Sequence, residues 1–194
     1  KIVDSMQTEL TKNGAIVVTG DTKVVPKGSI DQIFINTSGI GEILVPNISA
    51  NNITNEDAIL VSGDIGRHGA TIFASREGIA LDGELSSDCK SLFPIVQELI
   101  EKGIKIKALR DATRGGLAAV LNEWAKQSKI QILIQEDQIP VSQIVEGMCE
   151  MLGFEATALA NEGTFLLAIE NSDKEKALQI LQKYNHNASI IGQA

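Results

Sequence analysis

Two short stretches of this sequence hold the residue types that phosphoryl chemistry needs. The first, Thr19-Gly20-Asp21-Thr22-Lys23, follows an apolar run. In an extended chain Asp21 and Lys23 lie two apart and project to the same side. A carboxylate beside an ammonium at a strand end suits a magnesium–phosphate site, one for the metal and the other for the phosphoryl oxygens. The same pair also fits a surface ion pair beside a turn, which contributes little. The second stretch is Arg110-Asp111-Ala112-Thr113-Arg114-Gly115-Gly116, ahead of an amphipathic segment. Asp111 or Thr113 can cap a helix there, and free N–H groups flanked by arginines can receive an anion. The paired glycines equally allow close packing of that helix on a sheet.

Other candidates are less specific. Ala160-Asn161-Glu162-Gly163 sets a carboxylate at the mouth of a strand. It reads as a general base or orienter, or as a solvated loop charge. Ser62-Gly63-Asp64-Ile65-Gly66-Arg67-His68-Gly69 is a glycine-rich strand-to-helix junction. It has neither the Lys-Ser/Thr of a P-loop nor the GxGxxG spacing, so His68 reads as a helix-start or packing residue. His186 reads as a solvated loop residue. Cys89 and Cys149 stand apart without a CxxC pattern, which offers neither a structural zinc site nor a disulfide framework.

These residues must be positioned by elements that the apolar pattern outlines. Ala15–Thr19, Gln32–Thr37 and Ile43–Val45 read as strands, with a turn at Pro26–Ser29 and a polar, Asn-rich linker at Asn47–Glu56. An opening helix carries Ile2, Val3, Met6 and Leu10 on one face and stops at Gly14. Beyond the linker, strands at 58–62, 105–109, 130–134, 164–169 and 189–191 interleave with helices at 68–77, 91–102, 117–124, 141–152 and 172–184. Ser172 or Asp173 is the expected cap of the last helix. The fold class is α+β, or mixed α/β.

The 194 residues carry 17 Lys and Arg against 25 Asp and Glu, a formal charge of −8. That balance argues against nucleic acid and anionic membranes as partners. No apolar run approaches the roughly 18 to 20 residues a membrane-spanning helix needs. With free cysteines, the expected location is cytoplasmic.

Taken in order, the motifs resemble the HypE family of hydrogenase expression/formation proteins, within the aminoimidazole ribonucleotide synthetase-like superfamily. The resemblance rests on VTGDTKVV at 18–25, FINTSGIG at 34–41, VSGDIGRHGATI at 61–72 and REG at 76–78. It continues through LDGELSSDC at 81–89, RDATRGGLAAVLNE at 110–123, IPV at 139–141, EGMCEMLG at 146–153 and LANEG at 159–163. Two positions depart from the family's pattern. Arg67 stands where an acidic residue is usual, and Thr164 where Lys or Arg is frequent.

The resemblance implies an ATP-dependent dehydration of a carboxamide on the protein's own C-terminal cysteine. The product is a thiocyanate that supplies cyanide for nickel–iron hydrogenase maturation, with ATP and Mg2+ as the implied cofactors. Lys23 and Glu162 match the family's catalytic lysine and glutamate. Asp21, Thr22 and Lys23 form the nucleotide-side motif, and Asp111 matches a magnesium-holding aspartate of related selenophosphate synthetases. Residues 1–57 are the expected remainder of an ATP-binding, dimer-forming domain, and 58–194 a C-terminal α/β domain like that of aminoimidazole ribonucleotide synthetase. Implied partners are a second copy of the chain, the carbamoyltransferase HypF and the HypC–HypD complex. The start at Lys1 without Met, and the lack of the family's aspartate-rich motifs and Pro-Arg-Ile-Cys tail, make the chain read as a fragment expected to be inactive alone. Rival readings are another ATP enzyme of the superfamily, such as selenophosphate synthetase, and a non-catalytic docking module.

Overall fold

Ala58–Val61 and Phe165–Ile169 contain no polar residue, the pattern of strands covered on both faces. The computed structural model, which describes residues 1–79 and 85–194, places them side by side at the centre of a sheet. Its strands are β1 (Ala58–Val61), β2 (Ile106–Asp111), β3 (Leu133–Ile134), β4 (Phe165–Ile169) and β5 (Ser189–Gln193). The order is β2-β4-β1-β5-β3, and every neighbouring pair is antiparallel. The helices are α1 (Ile2–Lys12), α2 (Arg67–Glu77), α3 (Phe93–Glu101), α4 (Gly116–Ser128), α5 (Gln143–Leu152) and α6 (Lys174–Tyr184). The Leu81–Glu84 part of the LDGELSSDC motif lies outside the described residues.

The alternation along β1 and β4 sends successive side chains to two separate cores. Ile59, Val61, Leu166 and Ala168 meet Leu117, Val120 and Trp124 of α4 on one face. Ala58, Leu60, Phe165, Leu167 and Ile169 meet Ile95 and Leu99 of α3 and Ile180 and Leu181 of α6 on the other. A third cluster joins Ala70 and Ala74 of α2 to Val145, Met148 and Cys149 of α5. Burial pushes the Cys149 thiol up, with a smaller push from Glu155, as suits a packing residue.

The chain divides into two units, Lys1–Leu44 and Val45–Ala194. In the first, α1 ends before Gly14, whose φ of +68° suits the helix stop. A turn closes from the Ser29 N–H to the Pro26 carbonyl at 3.1 Å, with Gly28 at φ +89°. The strands expected at 15–19, 32–37 and 43–45 do not form among the described residues. Ile16, Val17, Val18, Ile33, Phe34, Ile35, Ile43 and Leu44 are exposed. β-propensity is local, but a strand needs a neighbouring row of backbone groups, and these segments find none within the unit.

The expected linker at 47–56 is also more ordered than its polarity suggests. Ala50–Asn52 makes a 3₁₀ turn, with the Ser49 hydroxyl accepting from the Asn51 N–H. Ala50 and Ile53 are buried in the α4-side core. The Asp57 carboxylate accepts from the Thr54 N–H at 2.7 Å and its hydroxyl at 3.0 Å.

Candidate active site

The functional edge follows from strand direction. β4 runs antiparallel to both β1 and β2, pairing Leu166 with Val61 and Phe165 with Asp111. The start of β4 therefore lies beside the ends of β1 and β2. Three loops separated in sequence meet there: 62–66, 111–116 and 159–164.

Asn161 ties the three together. It is fully buried, and its Oδ1 accepts from the Gly66 N–H at 2.6 Å. Its Nδ2 donates to the carbonyls of Leu159 at 3.0 Å and Ala112 at 3.3 Å. The Asn161 N–H also donates to the Ala112 carbonyl at 3.0 Å. Thr164 follows suit: its hydroxyl donates to the Asp64 carbonyl at 3.2 Å, and its own carbonyl accepts from the Ala112 N–H at 3.2 Å. A buried Lys or Arg at position 164 would need a charge partner that Thr164 does not.

Glu162, the next residue, turns outward, with 41% of its side chain exposed. Its backbone is held by Asp88, whose Oδ1 accepts from the Glu162 N–H at 3.1 Å and whose Oδ2 accepts from the Gly163 N–H at 2.9 Å. Gly163 is required by close approach. A side-chain carbon there would stand 1.7 Å from the Asp88 carbonyl oxygen. Facing Glu162 is His68, in the first turn of α2, with Nε2 3.9 Å from Oε1. The other ring nitrogen, Nδ1, lies 2.9 Å from the Ser87 hydroxyl, which also accepts from the Cys89 N–H at 3.2 Å. Arg67 binds the same segment through the Ser86 carbonyl at 3.2 Å and hydroxyl at 2.9 Å, with Nε 3.8 Å from Asp64.

Asp111 is exposed at the end of β2, and its Oδ2 accepts from the Thr113 hydroxyl at 2.7 Å. Neither Asp111 nor Thr113 caps α4. The N-cap is Gly115 at φ +70°, and Gly116 at φ +62° would place a side-chain carbon 2.4 Å from the Thr157 carbonyl oxygen. Gly116 thus serves close packing of α4 against the 156–159 turn, while a side-chain carbon at Gly115 would meet Ala119 of α4 itself. Asp173 is the N-cap of α6, but its carboxylate accepts from the Lys105 N–H at 2.9 Å instead of capping the helix. Asp21, Thr22 and Lys23 are exposed in the first unit, after Gly20. No group of three or more His, Cys, Asp and Glu that could hold a metal occurs among the described residues.

The arrangement thus presents an exposed carboxylate, Glu162, on a loop whose backbone is hydrogen-bonded to Asp88, a histidine beside it and a second exposed carboxylate, Asp111, where β2 gives way to a neighbouring loop. The sequence motifs point to Glu162 and Asp111 but not to Asn161 or Asp88, and His68 stands at a helix start as its motif suggests, in the first turn of α2. The one available signal was the Ser87-Asp88-Cys89 triplet, whose partners lie 74 and 75 positions away. No local periodicity reports such a pairing.

Comparison with known proteins gives this geometry a context. The family model for the C-terminal domain of AIR synthase related protein matches residues 54–194. The carbamoyl dehydratase HypE of Escherichia coli K12 is 44% identical over 196 aligned residues, covering 99% of this chain and 58% of that protein. A crystal structure of a HypE–HypF complex superposes with a TM-score of 0.95 at 43% identity, covering 99% of this chain and 64% of the matched one. A structure of the hydrogenase maturation protein HypE in complex with ATP gives a TM-score of 0.95 at 42% identity, covering 99% and 58%. The chain therefore spans about three-fifths of the relatives it matches. No helix among the described residues is long and apolar enough to cross a membrane. With an antiparallel sheet covered by helices and a match running from residue 54 to residue 194, the chain belongs to the AIR synthase related family and is a homologue of the HypE carbamoyl dehydratases.

Proposed function

We propose that this chain is the larger part of an ATP-dependent carbamoyl dehydratase, which converts a carboxamide on its own C-terminal cysteine into a thiocyanate for nickel–iron hydrogenase maturation. The observation that carries the reading is Glu162: an exposed carboxylate on a backbone pinned by Asp88, in a chain 44% identical to a carbamoyl dehydratase. Transfer of the γ-phosphoryl group of ATP to the amide oxygen forms a P–O bond and breaks the bond to ADP. The amide oxygen then departs as phosphate. Both N–H protons leave nitrogen, and their electron pairs become the two added bonds of the C≡N group.

In this proposal Glu162 takes a proton from the amide nitrogen, and Lys23 balances charge at the phosphorylated oxygen. Asp21, Thr22 and Lys23 serve the nucleotide side. Magnesium, when bound, would screen the phosphate oxygens. Asp111 fits it as a single exposed carboxylate, since this ion is typically held by one or two carboxylates together with phosphates and water. Residues 1–57 belong, in this reading, to the ATP-binding and dimer-forming domain and 58–194 to the C-terminal domain. The apolar side chains exposed within 15–45 support pairing with a second copy. HypF would supply the carbamoyl group and HypC–HypD would receive the cyanide, in the cytoplasm.

The test uses the full-length protein, carbamoylated and mixed with ATP, with mass spectrometry of the C-terminal peptide. Lys23→Ala and Glu162→Ala should each slow thiocyanate formation by about 100-fold or more, the scale of a lost positioned acid–base group. Asp111→Asn should be partly restored by added magnesium. Dehydration at the normal rate by Lys23→Ala or Glu162→Ala would remove that residue from the mechanism. A docking module would bind no ATP.

A further inference from the structure

Dehydration takes two protons from one nitrogen, and a single carboxylate holds only one of them. Glu162 must therefore be discharged before it can act again. The group beside it is His68, with Nε2 3.9 Å from Oε1. That separation exceeds a hydrogen bond, but catalytic contacts are commonly long before substrate is bound. The imidazole is held from behind, because Nδ1 lies 2.9 Å from the Ser87 hydroxyl. Ser87 is itself anchored by the Cys89 N–H, next to the Asp88 carboxylate that pins Glu162. One short segment, 87–89, thus sets both the carboxylate's backbone and the imidazole's orientation.

We propose that His68 is the positioning residue of Glu162 and receives the proton that Glu162 collects. The inference rests on the proposed dehydration with Glu162 as base. In the tautomer this role requires, Nδ1–H donates to the Ser87 hydroxyl, which leaves the Nε2 lone pair facing Glu162. As the protonated carboxyl transfers its proton, the O–H bond breaks and an N–H bond forms at Nε2. The product is an imidazolium and a regenerated carboxylate. With 25% of its side chain exposed, His68 returns the proton to solvent. Both amide protons leave by this route in turn, with His68 discharged to solvent between them and the departing phosphate taking its proton from solvent, so the balance closes.

The test follows thiocyanate formation in a single turnover of the carbamoylated full-length protein at saturating ATP. His68→Ala should lower the rate by about 100-fold, while ATP affinity and melting temperature stay unchanged. Free imidazole should restore part of that rate, which a purely structural role would not allow. His68→Gln should fold and bind ATP but remain slow, because an amide can donate toward Glu162 yet cannot accept its proton. A wild-type rate in His68→Gln, or a folded His68→Ala that imidazole does not accelerate, overturns the proposal. If His68→Ala does not fold, His68→Gln decides the matter alone. A fully active Glu162→Ala would instead defeat the base reading. A slow Glu162→Ala beside a fast His68→Gln would defeat only the role of His68.

Discussion

Asn161 and Glu162 are neighbours with opposite exposures, so substituting them should have opposite consequences. Asn161→Ala removes the acceptor of the buried Gly66 N–H, 2.6 Å away, and the donor to the Leu159 carbonyl, 3.0 Å away. The Ala112 carbonyl keeps the Asn161 backbone N–H at 3.0 Å and adds little. An orphaned buried backbone group costs about 1–3 kcal/mol. Gly66 lies at the upper end because its bond is buried, and Leu159 at the lower end because its bond is only part-buried. The sum is about 4 kcal/mol, or a melting temperature lower by roughly 8–16 °C for a chain of this size. Glu162→Ala should stay within about 0.5 kcal/mol of the parent, as surface changes do. Thermal unfolding followed by circular dichroism, with urea titration for the free energies, measures both. An Asn161→Ala protein melting within about 2 °C of the parent would refute the claim that this amide holds the three loops together.

Two further outcomes follow from particular contacts. Gly163→Ala places a carbon 1.7 Å from the Asp88 carbonyl oxygen, so it should lower the melting temperature and abolish dehydration by displacing the 85–89 segment. Gly147→Ala, in open space on α5, should leave activity intact and add about 0.5–1 kcal/mol of stability, and equal behaviour of the two variants would contradict the close-approach argument. Glu98 is held below the usual carboxylate range by hydrogen bonds from Lys183 and then Tyr184, and Glu170 by Lys105. A depressed folded value gives stability that is present above the unfolded value and lost as pH falls through the folded one. Glu98→Gln and Glu170→Gln should therefore melt below the parent at neutral pH and converge with it in acid, whereas a gap that ignores pH would refute the pairing.

The second unit was legible wherever the apolar pattern had one dominant period. The apolar runs at 58–62 and 164–169 read as strands and form β1 and β4 to within a residue, and Leu92, Ile95, Val96 and Leu99 mark the packed side of α3. The pattern misled where pairing depends on distant chain. Ile130–Ile134 reads as a strand, but only Leu133 and Ile134 pair with β5, at the sheet's edge. The runs at 15–19 and 32–37 have strand composition without a neighbour to complete the ladder. Capping failed for another reason. Asp111, Thr113 and Asp173 have side chains suited to a helix end, but Asp111 and Thr113 bond to each other and the distant Lys105 N–H claims Asp173, leaving Gly115 to begin α4. In the site, the family motif marked Glu162, while Asn161 in the same tetrapeptide gave no sign of its burial.

The loop's construction explains how the carboxylate proposed as the base can be both exposed and well directed. An exposed side chain costs the fold little, but a free loop would let it wander. Here rigidity comes from the backbone: the Glu162 and Gly163 N–H groups end on one carboxylate, and the preceding amide side chain is locked by Gly66, Leu159 and Ala112. Such charge-assisted bonds from backbone N–H to carboxylate are among the stronger ones a protein makes. The antiparallel course of β4 supplies the rest, because it brings residues 64, 111 and 162 to one end of the sheet although they are far apart in sequence. Side chains at that end can change the chemistry without disturbing the two cores. For that reason Glu162 and His68 can be substituted and assayed as groups of the proposed mechanism, whereas Asn161 and Gly163 can be tested only as parts of the frame that holds the loop.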